Sequence, residues 1–312
     1  MPAIANPLAL SVAGLNFANP LLNASGAFNA AFFNQLYPLK ENMGGIVTKT
    51  VTQNPQAGNP QPRTVELAGI GMLNSIGLQN PGLAYTLAQE IPDLKATGLP
   101  VILSISAHSS LEFAQMTELA LNHPNGKLIE AIELNLSCPN VAKGGIHFGS
   151  ANDSVKEALL AVTSICAKPV FAKLTPNVSD IVSIGGAAIE GGAAGLTAIN
   201  TVLGVAIDIR RKKPIMPRVS AGYSGPGIKP IALHAIWQLH KHFPQTPIIG
   251  VGGISSAEDV LEFIMAGASL VQVGTLCFRH PMIFQEITET LSRFCADEQV
   301  ATISALTGCA HG

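Results

Sequence analysis

The chain has 312 residues, of which 47% are hydrophobic and 12% charged, with a formal net charge of −2. That length and apolar content allow one large α/β domain or two ordinary ones with an ample core. The charge balance argues against nucleic acid or an acidic membrane surface as a partner. The five cysteines, Cys138, Cys166, Cys277, Cys295 and Cys309, are odd in number and contain no CxxC pair. Scattered thiols of this kind fit a reduced, cytoplasmic protein, and they lack the spacing of an iron–sulfur or structural zinc site. No metal site is expected.

The chain is uncharged as far as Pro38-Leu39, before Lys40. Asn6, Pro7, Asn16, Asn19, Pro20 and Asn23 interrupt every apolar run there, so none reaches the ~18 residues of a membrane span. No basic segment precedes an apolar one, so a signal peptide is not expected. Ala9–Val12 and Leu15–Phe17, joined at Gly14, read as a hairpin.

Strand-like runs follow at Pro20–Asn23, Gly45–Thr50, Val101–Ala107, Ala131–Cys138, Val170–Thr175, Gly195–Thr201, Pro247–Gly252 and Leu270–Thr275. Most are short and continuously apolar, as expected of strands buried on both faces. Helical periodicity falls between most of them, at Ser110–Asn122, Ser154–Cys166, Val178–Gly191, Pro230–His242 and Ser256–Ala266. Ser110, Ser154, Ser179 and Ser255 or Ser256 are the expected N-caps. Eight strands alternating with helices predict one closed (β/α)₈ TIM barrel spanning residues 1–312, with the hairpin closing its bottom. An open doubly wound sheet fits less well, because no GxGxxG follows the first strand.

The polar residues gather at strand ends. Ser25 follows the first barrel strand, Lys49 ends the second, Cys138 and Asn140 the fourth, Lys173 the fifth, and Asn200 and Thr201 the sixth. In a barrel these C-terminal ends line the active-site mouth. Cys138 read alone could equally be a small core residue; the other cysteines read as packing or surface. Lys49 in IVTKT and Lys173 in VFAKLT would bury charge with no obvious carboxylate partner, which is costly. A fixed cation facing an anionic ligand or an electron-rich ring explains them better than snorkelling to solvent. His240 and His242 lie on different helix faces and do not form a metal pair. Gly252-Gly253 and Gly274-Thr275 close the seventh and eighth strands, with Ser224-Gly225-Pro226-Gly227 upstream. Such turns present backbone N–H groups to a phosphate. Without a dinucleotide fingerprint, the cofactor they favour is FMN, not NAD or FAD.

Three segments carry a family resemblance: Asn135-Leu-Ser-Cys-Pro-Asn140, Asn74-Ser-Ile-Gly-Leu-Gln-Asn80-Pro-Gly, and Ile199-Asn-Thr201. Together they resemble the class 1 dihydroorotate dehydrogenases, and the likeness runs over nearly the whole chain. It implies an FMN-containing barrel that oxidises (S)-dihydroorotate to orotate in de novo pyrimidine (UMP) biosynthesis. By resemblance, Cys138 matches the catalytic base that takes the C5 proton while the C6 hydride goes to the flavin. Lys49, Asn74, Asn135, Asn140, Asn200 and Thr201 match substrate-binding positions, and Ser75, Ile76, Gly77 and Leu78 match the substrate loop. Asparagine suits amide recognition because one side chain both donates and accepts. Lys173 matches a lysine at the pyrimidine end of the flavin. Ser25, Lys49, Thr50, Ser104, Asn135, Ile199, Gly225, Gly252, Gly253, Gly274 and Thr275 match further FMN-contact positions.

The resemblance also bears on subclass. Membrane-bound class 2 relatives use serine as base and carry an N-terminal membrane helix; this chain has Cys138. Val141-Ala-Lys-Gly-Gly-Ile-His-Phe-Gly149 and Ile199-Asn-Thr-Val-Leu-Gly204 look like the B type. That type implies a homodimeric core whose partner subunit carries FAD and a [2Fe-2S] cluster and reduces NAD. Ser104 departs from this, standing where many B-type chains have asparagine; the fumarate-using A type more often has serine. A stand-alone A-type enzyme and a dihydropyrimidine dehydrogenase-like subunit are the alternatives.

Overall fold

A computed structural model describes residues 6–27, 39–137, 139–140 and 146–312, with only the backbone course of residues 39, 139–140 and 146–148. Cys138 and most of the Val141–Gly149 segment therefore lie outside the described residues, as does the side chain of Asn140. The strands are β1 (Leu10–Val12), β2 (Leu15–Phe17), β3 (Leu21–Asn23), β4 (Ile46–Val47), β5 (Thr64–Leu67), β6 (Gly71–Asn74), β7 (Val101–Ile105), β8 (Ala131–Asn135) and β9 (Pro139–Asn140). They continue as β10 (Ile146–His147), β11 (Val170–Leu174), β12 (Gly195–Ala198), β13 (Val202–Gly204), β14 (Ile207–Asp208), β15 (Lys213–Pro214), β16 (Ala221–Ser224), β17 (Ile248–Val251) and β18 (Leu270–Val273).

Eight of these form one parallel sheet in the order β3-β18-β17-β12-β11-β8-β7-β4. A parallel bridge between Leu22 and Gly45 joins its two edges, and Gly44 N–H donates to Leu21 O at 2.8 Å. Asn23 completes the seam with its side chain: Oδ1 accepts from Val47 N at 2.9 Å and Nδ2 donates to Val47 O at 2.7 Å. The predicted (β/α)₈ barrel is therefore present, with no open edge to protect.

Alternation along each strand sorts the core into two. Outward residues such as Leu103, Ile132, Leu174 and Leu196 pack beneath the helices with Phe113, Leu159, Ile236 and Phe263. Inward residues Leu22, Val47, Ile102, Ala131, Phe171, Ile249 and Leu270 form an apolar bottom layer, and Val12 and Phe17 of the β1–β2 hairpin plug it from below. Gly195 is required there, since a Cβ on it would stand 2.7 Å from the Phe171 ring. Burial of each large side chain contributes about 1.5–3 kcal/mol.

The predicted helices exist with shifted ends: Ser110–Asn122 as expected, then Asn152–Thr163, Ile181–Glu190, Lys229–His242 and Ala257–Met265. Most of the shifts are capping matters. Ser109, not Ser110, accepts from Glu112 N; Asp180, not Ser179, accepts from Val182 N and Ser183 N; Ser256 caps its helix as expected. Ser154 lies inside its helix, whose N-cap is Ala151 with no side-chain bond. The helices Ile91–Ala96 and Ile283–Asp297 have no counterpart in the sequence reading.

A second sheet was also not expected. It is antiparallel, in the order β13-β16-β6-β5, and is built from excursions that follow β4 and β12. Leu73, Met216 and Ala221 are its small core. One segment runs against the overall charge argument. Arg210, Arg211 and Lys212 join β14 to Lys213 of β15 as an exposed basic segment, an exception hidden by a net charge of −2.

Candidate functional site

Above the apolar bottom layer, the next inward residues are polar. Ser104 of β7, Glu133 of β8, Lys173 of β11 and Gln272 of β18 follow Ile102, Ala131, Phe171 and Leu270 by two positions. A strand repeats every two residues, so all four point into the barrel. They meet across it: Gln272 Nε2 donates to Glu133 Oε2 at 2.8 Å, and Ser104 Oγ to Glu133 Oε1 at 3.2 Å. Lys173 Nζ donates to Gln272 Oε1 at 3.1 Å and to Ser25 Oγ at 3.3 Å, and lies 3.7 Å from Glu133 Oε1. Lys173 thus has the buried carboxylate partner that the sequence reading did not see. The signal was present in the strand AIELN, where Glu133 is the only charge in an otherwise apolar run.

This network floors a cavity of about 1300 Å³ at the C-terminal ends of the strands. Its volume exceeds the about 300–1,000 Å³ usual for a single small-molecule site, which leaves room for a cofactor and a substrate together. Ser104 does not line it; fully buried one layer lower, it shares a 2.9 Å hydrogen bond with Thr50 Oγ1.

Lys49 reaches the cavity through a bulge. Val47 pairs with Ile102 and Val51 with Ile105, so four steps on one strand oppose three on the other. Thr48 Oγ1 accepts from Ser104 N at 2.9 Å within that gap. The extra residue re-aims the chain at the barrel rim. Lys49 has no carboxylate within ion-pair distance among the described residues. Burial, then the nearby Lys173 cation, hold its ammonium below the ordinary lysine value. Protonated Lys49 therefore costs the ligand-free fold stability below that lowered pKa, and the cost is relieved as pH rises through it. An anion bound beside Lys49 offsets the cost instead. Affinity for an anionic ligand beside Lys49 should accordingly fall as pH rises through a point below the ordinary lysine range. In Lys49→Arg, whose guanidinium does not titrate, it should stay flat. Equal pH profiles from titration calorimetry would contradict this placement of Lys49.

Part of the cavity lining is an amide cluster. Asn200 Nδ2 donates to Asn135 Oδ1 at 3.2 Å and to Ser137 Oγ at 2.6 Å, while Asn200 Oδ1 accepts from Thr201 N at 2.8 Å. Asn135 Oδ1 also accepts from Ser137 N at 3.3 Å, which fixes the chain just before Cys138. Asn74 comes from the second sheet, its Nδ2 donating to Gly222 O at 3.3 Å. Ser75, Ile76, Gly77 and Leu78 line the cavity beside it. Residues that the sequence reading did not single out hold this loop. Asn59 Nδ2 donates to Ser75 O at 2.9 Å, and buried Asn80 bonds Leu78 O, Thr52 and Gly82 N.

The same cavity is lined by a glycine cradle formed by Gly225, Gly252, Gly253 and Gly274 with Thr275, and by Ile199. Gly253 has φ +80, and a Cβ on it would stand 2.7 Å from Lys229 N, so the turn lies on the first residue of the Lys229–His242 helix. A helix N-terminus and exposed backbone N–H groups are a ready anion site. Asp259, also missed from sequence, secures the turn: its carboxylate accepts from Ser255 N and Ser255 Oγ, both at 2.7 Å, and from Lys229 Nζ at 2.6 Å. Burial pushes the Asp259 carboxyl up, but the Lys229 and Ser255 hydrogen bonds outweigh it and the net shift is down. A glycine cradle for phosphate and two lysines in the cavity lining fit a flavin mononucleotide.

Every predicted site residue within the described set meets in this cavity except Ser104; Cys138 and the side chain of Asn140 lie outside the described residues. None of the other cysteines lines it. Cys166, Cys277 and Cys295 are buried, and burial pushes the Cys277 thiol up to about 12. Among the described residues no cluster of three or more potential metal ligands occurs, and no helix is long and apolar enough to cross a membrane.

The dihydroorotate dehydrogenase family model matches residues 7–295. Near-full-length relatives share the same name, "Dihydroorotate dehydrogenase B (NAD(+)), catalytic subunit". The protein of Desulforamulus reducens is 42% identical over 97% of this chain and 98% of its own. That of Geobacillus kaustophilus is 43% identical over 97% and 95%, and that of Geobacter sp. (strain M21) 40% over 96% and 97%. The chain therefore belongs to the dihydroorotate dehydrogenase family.

Proposed function

We propose that the chain oxidises (S)-dihydroorotate to orotate in de novo pyrimidine synthesis, with FMN in the cavity and NAD as final acceptor through a partner subunit. The observation that carries this is one cavity whose lining holds an amide cluster, a glycine cradle and two lysines. The glycine turns and the Lys229–His242 helix start would take the phosphate, and Lys173, Ser25 and Thr50 would face the ring system. Bound there, FMN supplies the hydride acceptor. Asn74, Asn135 and Asn200 would hold the amide edges of the substrate, with Asn140 beside them. Lys49 and the N–H groups of the Ile76–Leu78 loop would meet its carboxylate. Cys138 Sγ would take the ring proton from C5 as the hydride leaves C6, so orotate forms with one proton on sulfur and one hydride, two electrons with a proton, passed to the acceptor.

The partner would carry FAD and a [2Fe-2S] cluster on a homodimeric catalytic core in the cytoplasm. The relatives' shared name supports a separate electron-transfer subunit. The rival within the class is a stand-alone fumarate reductant, favoured only by Ser104. Ser104 lies under the cavity, bonded to Thr50 and Glu133, so its identity says little about the acceptor. Purified FMN-loaded chain should turn over dihydroorotate with fumarate only marginally, and co-purified complex should reduce NAD. Efficient fumarate turnover by the chain alone would contradict the B-type reading.

A further inference from the structure

The buried Glu133 carboxylate lies beneath the cavity and does not line it. Glu133 is fully buried, and both of its oxygens are engaged, one by Ser104 and the other by Gln272. Gln272, also fully buried, bridges it to Lys173 by presenting its amide oxygen to the ammonium at 3.1 Å. The layer directly below fills the same kind of space with Ile102, Ala131, Phe171 and Leu270. An apolar layer here would therefore be feasible and would avoid the cost of burying a charge pair. The chain instead places a carboxylate 3.7 Å behind the one floor cation whose Nζ also reaches the cavity-lining Ser25.

We infer that Glu133, acting through Lys173 and held by Gln272, sets the reduction potential of the bound flavin. This rests on the reading of the cavity as the FMN site. A lysine facing the flavin ring favours the electron-rich reduced form. A carboxylate behind that lysine cancels part of its field, and in a dry interior such fields are weakly screened. The flavin then holds its electrons less tightly and releases them more readily to a further carrier. Glu133 touches neither substrate nor flavin in this account; it is a positioning residue.

The test is the midpoint potential of FMN-loaded protein, measured by equilibration with a reference dye, together with the affinity of apoprotein for oxidised FMN. Glu133→Gln keeps the size of the side chain and removes its charge. It should favour reduced over oxidised FMN by about tenfold, equal to about 30 mV for a two-electron couple. Gln272→Glu adds a second carboxylate and should shift the ratio the other way; it carries the test if Glu133→Gln does not fold. Lys173→Met should lower the potential. If Lys173→Met shifts the potential but Glu133→Gln and Gln272→Glu match wild type, this inference is overturned. If FMN does not bind wild-type apoprotein, or Lys173→Met leaves both potential and affinity unchanged, the reading of the cavity fails instead.

Discussion

Replacing Cys138 by alanine should slow anaerobic flavin reduction by dihydroorotate by about 10²–10⁴-fold, the usual contribution of a positioned general base. FMN and orotate should still bind, because their proposed contacts lie on other residues. The chain enters position 138 from a fixed point: Ser137 N is held by Asn135 Oδ1 and Ser137 Oγ by Asn200 Nδ2. No other described thiol can substitute, since none lines the cavity. In the parent enzyme the rate should rise with pH toward the thiol's own pKa, about 8.5 when unperturbed, as the thiolate becomes available. Stopped-flow bleaching at several pH values checks both points. Wild-type rates in Cys138→Ala would remove this residue from the mechanism.

The second large effect concerns stability. Lys173→Met should destabilise the apoprotein by about 3–5 kcal/mol, because it strands Glu133 as an unpaired buried charge. The two side chains are only 5% and 1% exposed, so water cannot take the place of the lysine. Adding Glu133→Gln should recover most of the loss. Urea unfolding of the parent, Lys173→Met and the double variant measures this directly. A double variant no more stable than Lys173→Met would show that lost packing, not the stranded charge, dominates.

Much of the site was legible because its residues follow the strands. Lys173, Asn200, Gly252 and Gly274 needed only the strand ends and the barrel rule that puts those ends at one face. Glu133 and Gln272 were hidden by reading the strands as continuously apolar. Outward Ile132 and Leu134 flank inward Glu133, and Val271 and Val273 flank inward Gln272, so the polar residues looked incidental. Weighing alternate positions separately would have exposed them. The second sheet was not legible for another reason. Its strands are only 3–4 residues long, and they pair across excursions distant in sequence, as Asn74 does with Gly222. No local periodicity encodes such pairing. Lys49 at the mouth depends on a bulge set by Thr48 and Ser104, again a contact between distant segments.

The central claim is that this cavity oxidises dihydroorotate on FMN. The most direct measurement is anaerobic titration of FMN-loaded chain with dihydroorotate and, separately, with dihydrouracil, which lacks the carboxylate. The account predicts loss of the oxidised flavin absorbance with one orotate formed per FMN, and little bleaching by dihydrouracil. A flavin left oxidised by dihydroorotate, or bleached as readily by dihydrouracil, would contradict it.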